Sequence, residues 1–177
     1  GARLGAGRGH RQETPGDRVE IMITCSFEHG STATLRHVVA DNLVLEGDKV
    51  LLVKRSGKLS EGGKWALPGG FVDRNETIKQ AAAREIMEET GYEVAGMTLF
   101  RIIDAPNRPA EDRQNIAFVH FCVARERTGA PDWESSDVRW FPLSALPDER
   151  EVAFDHFSTI RLYREFLANR FELPVVR

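Results

Sequence analysis

The sequence has few cysteines and no long apolar segment. Its two cysteines, Cys25 and Cys122, are too few for a disulfide framework in a chain of 177 residues, and no Cys-x-x-Cys pair or Cys/His cluster indicates zinc. We therefore expect two buried free thiols. No apolar run is long enough to span a bilayer, and the start of the chain lacks the apolar stretch of a signal peptide. These absences predict a cytoplasmic protein without a membrane partner.

The sequence also lacks an excess of positive charge. A net charge of −3 gives no general attraction to polyanions and argues against a nucleic-acid partner. The composition, 41% hydrophobic and 29% charged, is that of a globular protein. Residues 1–18 are rich in glycine and arginine without apolar periodicity, and we expect them to be a flexible leader. Residues 19–177 are long enough for one domain with a substantial core.

Hydrophobic patterns predict strands on both sides of a central helix. The helix is expected at 76–90, with Asp73 or Asn75 as N-cap and Gly91 as C-cap. A second amphipathic helix is expected in FDHFSTIRLYREFLANR. The predicted strands lie in VEIMITCSF, TLRHVVADNLVLEGDKVLLVKRS with a turn at 46–48, KWALPGGFVD with a break at Pro68, EVAGMTLFRIID, NIAFVHFCVARE and DVRWFPL. This order indicates an α/β sandwich.

The first predicted strand offers two arrangements. The segment VEIMITCSFEHGSTATL could pair with, or exchange into, a second copy of the chain, because edge strands invite such pairing, and this predicts a homodimer. Alternatively it is an ordinary sheet strand.

Three glutamates crowd the end of the predicted central helix, in the segment REIMEETG at residues 84–91. A helix C-terminus carries partial negative charge, and like charges three or four positions apart repel each other, so Glu85, Glu88 and Glu89 are unfavourable there. At about 100° per residue, Glu85 and Glu89 fall on the apolar side of the helix and Glu88 falls at its edge. At least two of these acids therefore point inward or into a cleft.

Two arrangements would make these acids tolerable. One is a network of ion pairs with Arg84 and another arginine from elsewhere in the chain. The other is a divalent cation, which takes several oxygen ligands at once and offsets their repulsion. One arginine against three glutamates leaves an excess of acid, which favours the cation.

The surrounding sequence resembles the Nudix box, the loop–helix motif of the Nudix hydrolases. The run GFVDRNETIKQAAAREIMEETGY, from Gly70 to Tyr92, fits the pattern GX5EX7REUXEEXGU, in which U is a bulky apolar residue. Every fixed identity is present: Gly70, Glu76, Arg84, Glu85, Glu88, Glu89 and Gly91. Ile86 fills the first U, and Tyr92 fills the second, where an aliphatic residue is more usual. The flanking segments VLLVKRS, GKWALPGGFVD and DVRWFPLSALP are also similar to that family.

This resemblance implies an α/β/α sandwich with a mixed sheet, a catalytic loop and helix, and a C-terminal helix. It implies an enzyme that acts on phosphorus anhydrides, in which water attacks the diphosphate of a nucleoside diphosphate linked to another group, with Mg²⁺ or Mn²⁺ as cofactor. Carried over by position, Glu85, Glu88 and Glu89 are the expected metal ligands together with the Gly70 carbonyl. Glu85 and Glu88 are also expected to be catalytic.

The resemblance assigns Arg84 to the catalytic group as a residue that orients a glutamate, either Glu76 or Glu88. Glu76 could equally be an acid that stabilises the start of the helix. The general base in this family is either a box glutamate or an acid on a later loop. In DWESSDVRW the loop acids are Glu134 and Asp137, and we take Glu134 as the candidate.

Four residues outside the box are candidates for binding the substrate. Arg108 and Arg113 lie in the polar loop between two late strands and could hold a terminal phosphate or stack on a base. Arg55 closes the strand before the box, and Trp65 could stack on a nucleobase. The alternatives are solvated surface charges for the arginines and core packing for Trp65.

Pro106 stands about where ADP-ribose-cleaving relatives carry a proline, which favours ADP-ribose or another nucleotide sugar as the small-molecule substrate. A nucleoside triphosphate, oxidised or not, is the alternative substrate. A nucleotide-sensing domain without catalysis is a third alternative, and the intact acids of the box argue against it.

Overall fold

We describe residues 23–108 and 113–176 of a computed structural model of the chain. The helices are α1 (Ile78–Thr90) and α2 (His156–Asn169), with one 3-10 turn at Glu149–Glu151. The strands are β1 (Ile23–Ser26), β2 (Thr32–Leu35), β3 (Val38–Glu46), β4 (Lys49–Arg55), β5 (Trp65–Ala66), β6 (Gly69–Phe71), β7 (Tyr92–Ile103), β8 (Ile116–Arg127), β9 (Ser135–Pro142) and β10 (Val175–Val176). The predicted leader, residues 1–18, lies outside the described residues. Within the described ranges, neither helix is long and apolar enough to cross a membrane.

Eight strands form one mixed sheet with β3 near its centre. The main path runs β10-β7-β8-β3-β4-β5, with β6 paired to β3 and β9 paired to β4. β3 pairs in parallel with β8 and antiparallel with both β4 and β6. The short strand β6 therefore ends beside the centre of the sheet, and the chain passes from there into α1.

The two helices cover opposite faces of this sheet. Leu43 of β3 belongs to a core cluster that includes Ile160 of α2, whereas the next residue, Val44, packs in a cluster with Ile86 of α1. Successive side chains of a strand point to opposite faces, so α1 and α2 lie on different sides of β3. The predicted α/β/α sandwich with a mixed sheet is confirmed.

Helix α1 begins later than the sequence pattern predicted. Asn75 has a φ of 74°, so the chain is still turning there, and Thr77 is the N-cap. The Thr77 hydroxyl accepts a hydrogen bond from the Gln80 N–H, and the Gln80 side chain accepts one from the Thr77 N–H. Asp73 and Asn75 were therefore the wrong N-caps, because this reciprocal pair satisfies two backbone donors at once.

Gly91 ends α1, as predicted, and also anchors the loop at residues 128–134. It has a φ of 75°, and its carbonyl accepts hydrogen bonds from the N–H groups of Thr128 and Gly129 at 2.9 and 3.1 Å. One turn earlier, the carbonyl of Glu88 accepts a bond from the N–H of Asp132 at 2.9 Å. Three backbone hydrogen bonds thus join the end of α1 to the loop that leads into β9.

The first described segment forms a separate two-stranded sheet of β1 and β2. The segment thus forms ordinary sheet strands, one of the two predicted arrangements, but apart from the main sheet, and a dimer through it stays a prediction. Cys25 on β1 is partly exposed, because this small sheet is not covered by the core, so the expectation of two buried thiols was wrong for that residue. Cys122 on β8 is buried, and both thiols are free.

Candidate active site

Gly69 and Gly70 bring the backbone of β6 against two glutamates of α1. The N–H of Gly69 donates a hydrogen bond to Oε2 of Glu89 at 2.9 Å. A Cβ added at Gly69 would overlap the backbone of Ala40, and one added at Gly70 would overlap the carboxylate of Glu85. Glycine at 69 thus allows β6 to lie close against β3, and glycine at 70 leaves room for the carboxylate of Glu85.

Two of the three box glutamates at the end of α1 lie in surroundings that disfavour negative charge. Glu89 is 4% exposed, and burial raises its pKa to about 8, although the bond from Gly69 acts in the opposite direction. Burial also raises the pKa of Glu85, despite the nearby arginine. Glu88 is exposed. The inward placement of Glu85 and Glu89, and the position of Glu88 at the edge, agree with the helical spacing.

Arg84 binds three glutamates with its guanidinium group. Nη1 donates to Oε1 of Glu85 at 2.8 Å and to Oε2 of Glu88 at 2.9 Å. Nε and Nη2 donate to the two oxygens of Glu76 at 3.1 and 2.7 Å, and Nη2 also reaches the carbonyl of Phe71. The bond to Glu76 is the largest influence that raises the pKa of Arg84. Arg84 therefore forms its part of the ion-pair network considered from the sequence, and these bonds bring no second arginine to the glutamates.

The donor set has the chemistry that a hard divalent cation requires. The carboxylate of Glu85 lies against the open backbone of Gly70, Glu85 and Glu88 share Nη1 of Arg84, and a single arginine leaves acid in excess. Within residues 23–108 and 113–176, no three His, Cys, Asp or Glu side chains stand close enough together to surround an ion. Arg84 occupies one oxygen each of Glu85 and Glu88. A cation would have to replace those bonds, so the role of these glutamates as ligands stays a prediction.

Glu134 lies on the loop that is hydrogen-bonded to the end of α1, and it lines the same cavity as Glu85. Its backbone N–H bonds to Oδ1 of Asp132, and its carbonyl accepts from the N–H of Ser56. Burial raises the pKa of Glu134, and the charges of Asp132 and Glu88 raise it further. The other loop acid, Asp137, pairs with Arg139 at 2.8 Å and is not among the described residues that line the cleft.

A cavity of about 310 Å³ lies next to these acids. This volume is at the lower end of the range for small-molecule sites. Carboxylates, arginines, two phenylalanines and aliphatic side chains together line this cavity. The described residues that line it are Val39, Asp41, Arg55, Leu59, Leu67, Gly69, Gly70, Phe71, Glu85, Arg108, Arg113, Asn115, Glu134, Phe154 and His156.

Arg55 and Arg113 bring positive charge to this cavity, each beside an aromatic ring. The Arg55 guanidinium lies 5.0 Å from the centre of the Phe154 ring, and that of Arg113 lies 5.7 Å from the centre of the Phe71 ring. Burial lowers the pKa of Arg55, and the negative charge of Glu89 partly offsets this. These two of the three arginines predicted from the sequence therefore line the cavity.

Arg108 also lines the cavity, but two carboxylates hold its guanidinium group. It forms two bonds with Asp155, at 2.7 and 2.5 Å, and a longer one with Asp41 at 3.4 Å. Burial opposes the charge, yet these partners raise the pKa of Arg108 overall. The expectation that Arg108 holds a terminal phosphate is not supported, because an arginine already balanced by two acids offers an anion little attraction.

Trp65 lies in the core and is not among the described residues that line the cavity. It is 7% exposed and packs edge-to-face on Phe141, with ring centres 4.9 Å apart. Lys54 and Arg139 lie over its ring. This placement corrects the expected contact with a nucleobase and favours core packing, the alternative considered from the sequence.

Three charged or polar residues of the cavity region carry no sequence motif: Asp41, Asp155 and His156. Asp41 is the most visible in the sequence, because it is an acid in the interior of the apolar strand VVADNLVLE, and it is only 8% exposed. A carboxylate inside a strand of the core requires a partner. Its partners, Arg108 and His156, lie far along the chain, and sequence spacing does not identify them.

Known proteins share both the sequence pattern and the fold. A family model of the NUDIX domain matches residues 35–163. An ADP-ribose pyrophosphatase of Methanocaldococcus jannaschii is 34% identical over 127 residues, 71% of this chain and 72% of that protein. An 8-oxo-dGTP diphosphatase of Proteus vulgaris is 36% identical over 74 residues, 41% of this chain and 66% of that protein. A NUDIX hydrolase from Nitrosomonas europaea has a similar fold, with a TM-score of 0.68 and 24% identity, over 88% of this chain and 91% of that one.

Proposed function

The chain belongs to the Nudix hydrolase family, and we propose that it cleaves the diphosphate of ADP-ribose or a related nucleotide sugar, with Mg²⁺ or Mn²⁺ as cofactor. The family places it among the pyrophosphohydrolases that act on phosphorus anhydrides.

One observation carries this proposal. A single cavity is lined by Glu85, Gly70 and Glu134 together with Arg55 and Arg113. A diphosphate is a polyanion, so carboxylates alone would repel it, and it requires positive charge on its oxygens. The two arginines supply part of that charge, and a cation held by the glutamates would supply the rest.

A divalent cation bound by Glu85, Glu88 and Glu89 would neutralise phosphate oxygens and make a bound water more acidic. Arg84 holds Glu85 and Glu88 side by side through its two bonds at 2.8 and 2.9 Å, and these bonds would give way to the cation. Arg84 is itself fixed by both oxygens of Glu76. Glu76 thus acts as a support for Arg84 rather than as a ligand in this arrangement.

Glu134 is the proposed general base that takes a proton from the attacking water. It lines the cavity beside Glu85, and the raised pKa of its carboxyl makes it a stronger base than an exposed glutamate. The bonds that join its loop to α1 keep it near the glutamates of the box. A box glutamate stays the alternative base.

Glu134→Gln is expected to lower kcat about a hundredfold, because glutamine keeps the size of the side chain but cannot accept the proton. KM should change little, and the acidic limb of the pH–kcat profile should disappear, because that limb reports protonation of the base. The measurement is a steady-state pH profile, with Glu126→Gln, an exposed glutamate on β8, as the matched control. A variant that keeps both the wild-type rate and the acidic limb would assign the base elsewhere.

Two observations favour a sugar-linked substrate. Arg108, the arginine expected to hold a terminal phosphate, is held by Asp41 and Asp155, and these acids outnumber it. The Methanocaldococcus jannaschii relative is an ADP-ribose pyrophosphatase. We therefore place the sugar-linked diphosphates ahead of the triphosphates.

A second candidate is hydrolysis of a nucleoside triphosphate, oxidised or not. The 8-oxo-dGTP diphosphatase of Proteus vulgaris supports it through 36% identity over a shorter segment of 74 residues. The same catalytic residues would serve, because the bond broken is again a phosphorus anhydride. The two candidate substrates differ in the group beyond the cleaved bond, which the residues lining the cavity would contact.

The proposal is tested by a hydrolysis panel with Mg²⁺ and, separately, with Mn²⁺. The panel contains ADP-ribose, other nucleotide sugars, NADH, CoA, dinucleoside polyphosphates, and normal and 8-oxo nucleoside triphosphates, with products identified by mass. Cleavage of ADP-ribose to AMP and ribose phosphate is the expected result. Cleavage of triphosphates alone would keep the enzyme class and reject the substrate, and tight binding without any hydrolysis would support a sensor.

A further inference from the structure

Asp41 is the centre of a buried charge cluster in the wall of the cavity, apart from the glutamates of the box. Its Oδ2 lies 3.4 Å from Nη2 of Arg108 and 3.7 Å from Nε2 of His156. Burial alone would raise its pKa, but the N–H of His156 and the guanidinium of Arg108 more than offset this and lower the pKa. Asp41 is therefore a carboxylate that stays charged at the wall of the cavity.

Asp155 takes part in this cluster instead of capping its own helix. It stands at the N-cap of α2, where an aspartate normally accepts a bond from the first turn, yet its side chain makes no such bond. Its two oxygens bind Arg108 at 2.7 and 2.5 Å instead. Asp155 therefore binds Arg108 and does not make the capping bond that would stabilise α2. A residue that departs from its local structural preference in this way is typical of a functional site.

His156 adds no positive charge to the cluster. Its Nδ1 accepts a hydrogen bond from the N–H of Leu67 at 2.9 Å, so that nitrogen carries no proton and the ring is neutral. The remaining ring N–H, on Nε2, is the one that faces Asp41. With Arg108 as the cation and Asp41 and Asp155 as the anions, the cluster has a net charge of −1.

A second acceptor lies in the same cavity. Oδ1 of Asn115 is enclosed and has no hydrogen-bond partner among the described residues. An enclosed acceptor without a donor is costly, and a ligand that supplies a donor removes that cost. The cavity therefore presents two acceptors that suit hydroxyl groups, the carboxylate of Asp41 and the amide oxygen of Asn115. The negative charge of Asp41 disfavours phosphate beside it.

We propose that Asp41 is a specificity-determining residue that accepts hydrogen bonds from hydroxyl groups of a sugar in the substrate. Arg108 and Asp155 are positioning residues that hold the carboxylate of Asp41 at the cavity wall. This inference rests on the proposed function, since a nucleotide sugar supplies such hydroxyls at one end of the diphosphate and a triphosphate supplies phosphate there.

The test is a calorimetric comparison of three ligands that the enzyme cannot cleave, with Mg²⁺ present. The ligands are the α,β-methylene analogues of ADP-ribose, of ATP and of 2′,3′-dideoxy-ATP. Asp41→Asn is the test variant, since it keeps the shape and removes the charge. Asp48→Asn, at the exposed turn between β3 and β4, is the matched control.

We expect Asp41→Asn to weaken binding of the ADP-ribose analogue about tenfold, the usual loss for a hydrogen bond to a charged group. If the hydroxyls belong to the distal sugar, both ATP analogues should bind at least as tightly as before, because a repulsive charge is gone. If they belong to the nucleoside ribose, the ATP analogue should weaken as well and the dideoxy analogue should not. Either pattern supports sugar recognition.

An equal change for all three ligands, or none, would overturn the inference, because a purely structural role of Asp41 affects every ligand alike. Should Asp41→Asn fail to fold, Asp155→Asn removes one charge from a more exposed position and is expected to weaken the ADP-ribose analogue selectively, by about threefold. If the inference on Asp41 is wrong, the wild-type protein still hydrolyses ADP-ribose. Failure of the proposed function shows instead as an absence of that hydrolysis.

Discussion

Glu89→Gln is expected to lower kcat/KM in the presence of Mg²⁺ by about a thousandfold while the fold is retained. Loss of one carboxylate from the proposed metal site removes several kcal/mol of charge stabilisation in the transition state, which corresponds to a rate factor of this order. The fold should be retained because glutamine has the shape of the protonated acid, and this buried side chain still accepts the bond from Gly69 through its amide oxygen. Steady-state kinetics with ADP-ribose, together with Mg²⁺ binding by calorimetry, measure the effect.

The matched control is Glu165→Gln, an exposed glutamate on α2 that also loses its charge within a helix. It should leave both kinetics and Mg²⁺ binding unchanged. If Glu89→Gln bound Mg²⁺ and hydrolysed substrate as the wild type does, Glu89 would be a structural hydrogen-bond acceptor of the glycine loop and not a ligand.

Without divalent cations, the same variant is expected to become more stable than the wild type as the pH rises. Glu89 has a pKa of about 8 in the folded protein and 4.5 as its ordinary value. Between these values the unfolded chain loses the proton while the folded chain keeps it, so the free energy of unfolding falls as the pH rises. The stabilisation that protonated Glu89 gives the folded state is fully present below about pH 4.5 and lost above about pH 8. One pKa unit corresponds to about 1.4 kcal/mol, so the total loss is a few kcal/mol.

Urea denaturation of both proteins from pH 5 to 9 in EDTA measures this difference. Subtracting one curve from the other removes the contributions of all other titrating groups, and Glu165→Gln should run parallel to the wild type. Added Mg²⁺ should raise the free energy of unfolding of the wild type and not that of Glu89→Gln, because a bound cation stabilises the charged carboxylate. Parallel curves for wild type and Glu89→Gln across the whole range would mean that Glu89 titrates as an ordinary surface acid.

The sequence was sufficient for the fold class and for the arrangement of the box, because both follow from short-range periodicity. The spacing of Glu85, Glu88 and Glu89 determines which side of a helix each occupies, whatever the rest of the chain does. Gly91 was recognisable as a C-cap because its conformation is a local requirement. The start of α1 was not, because several nearby residues are good caps and the reciprocal bond between Thr77 and Gln80 decides among them.

The wall of the cavity was harder to predict, because its contacts join distant parts of the chain. From the sequence alone, Arg108 resembles a solvated surface charge, because its partner Asp155 lies 47 positions later in the chain. Trp65 stands next to the glycine loop in the sequence, yet its side chain packs against Phe141 on the strand pair formed by β4 and β9. Nearness along the chain indicates a shared element, but the face on which a side chain lies depends on pairing that a single sequence does not reveal.

The three backbone hydrogen bonds between the end of α1 and the loop at residues 128–134 have a consequence for the cost of binding. A loop that becomes ordered only when substrate arrives loses conformational entropy at that moment, and the loss is subtracted from the affinity. Here the loop bearing Glu134 is already fastened to the helix bearing Glu85, Glu88 and Glu89, so that entropy was lost during folding. At this side of the site, binding a cation would then mainly require the side chains around Arg84 to change rotamer.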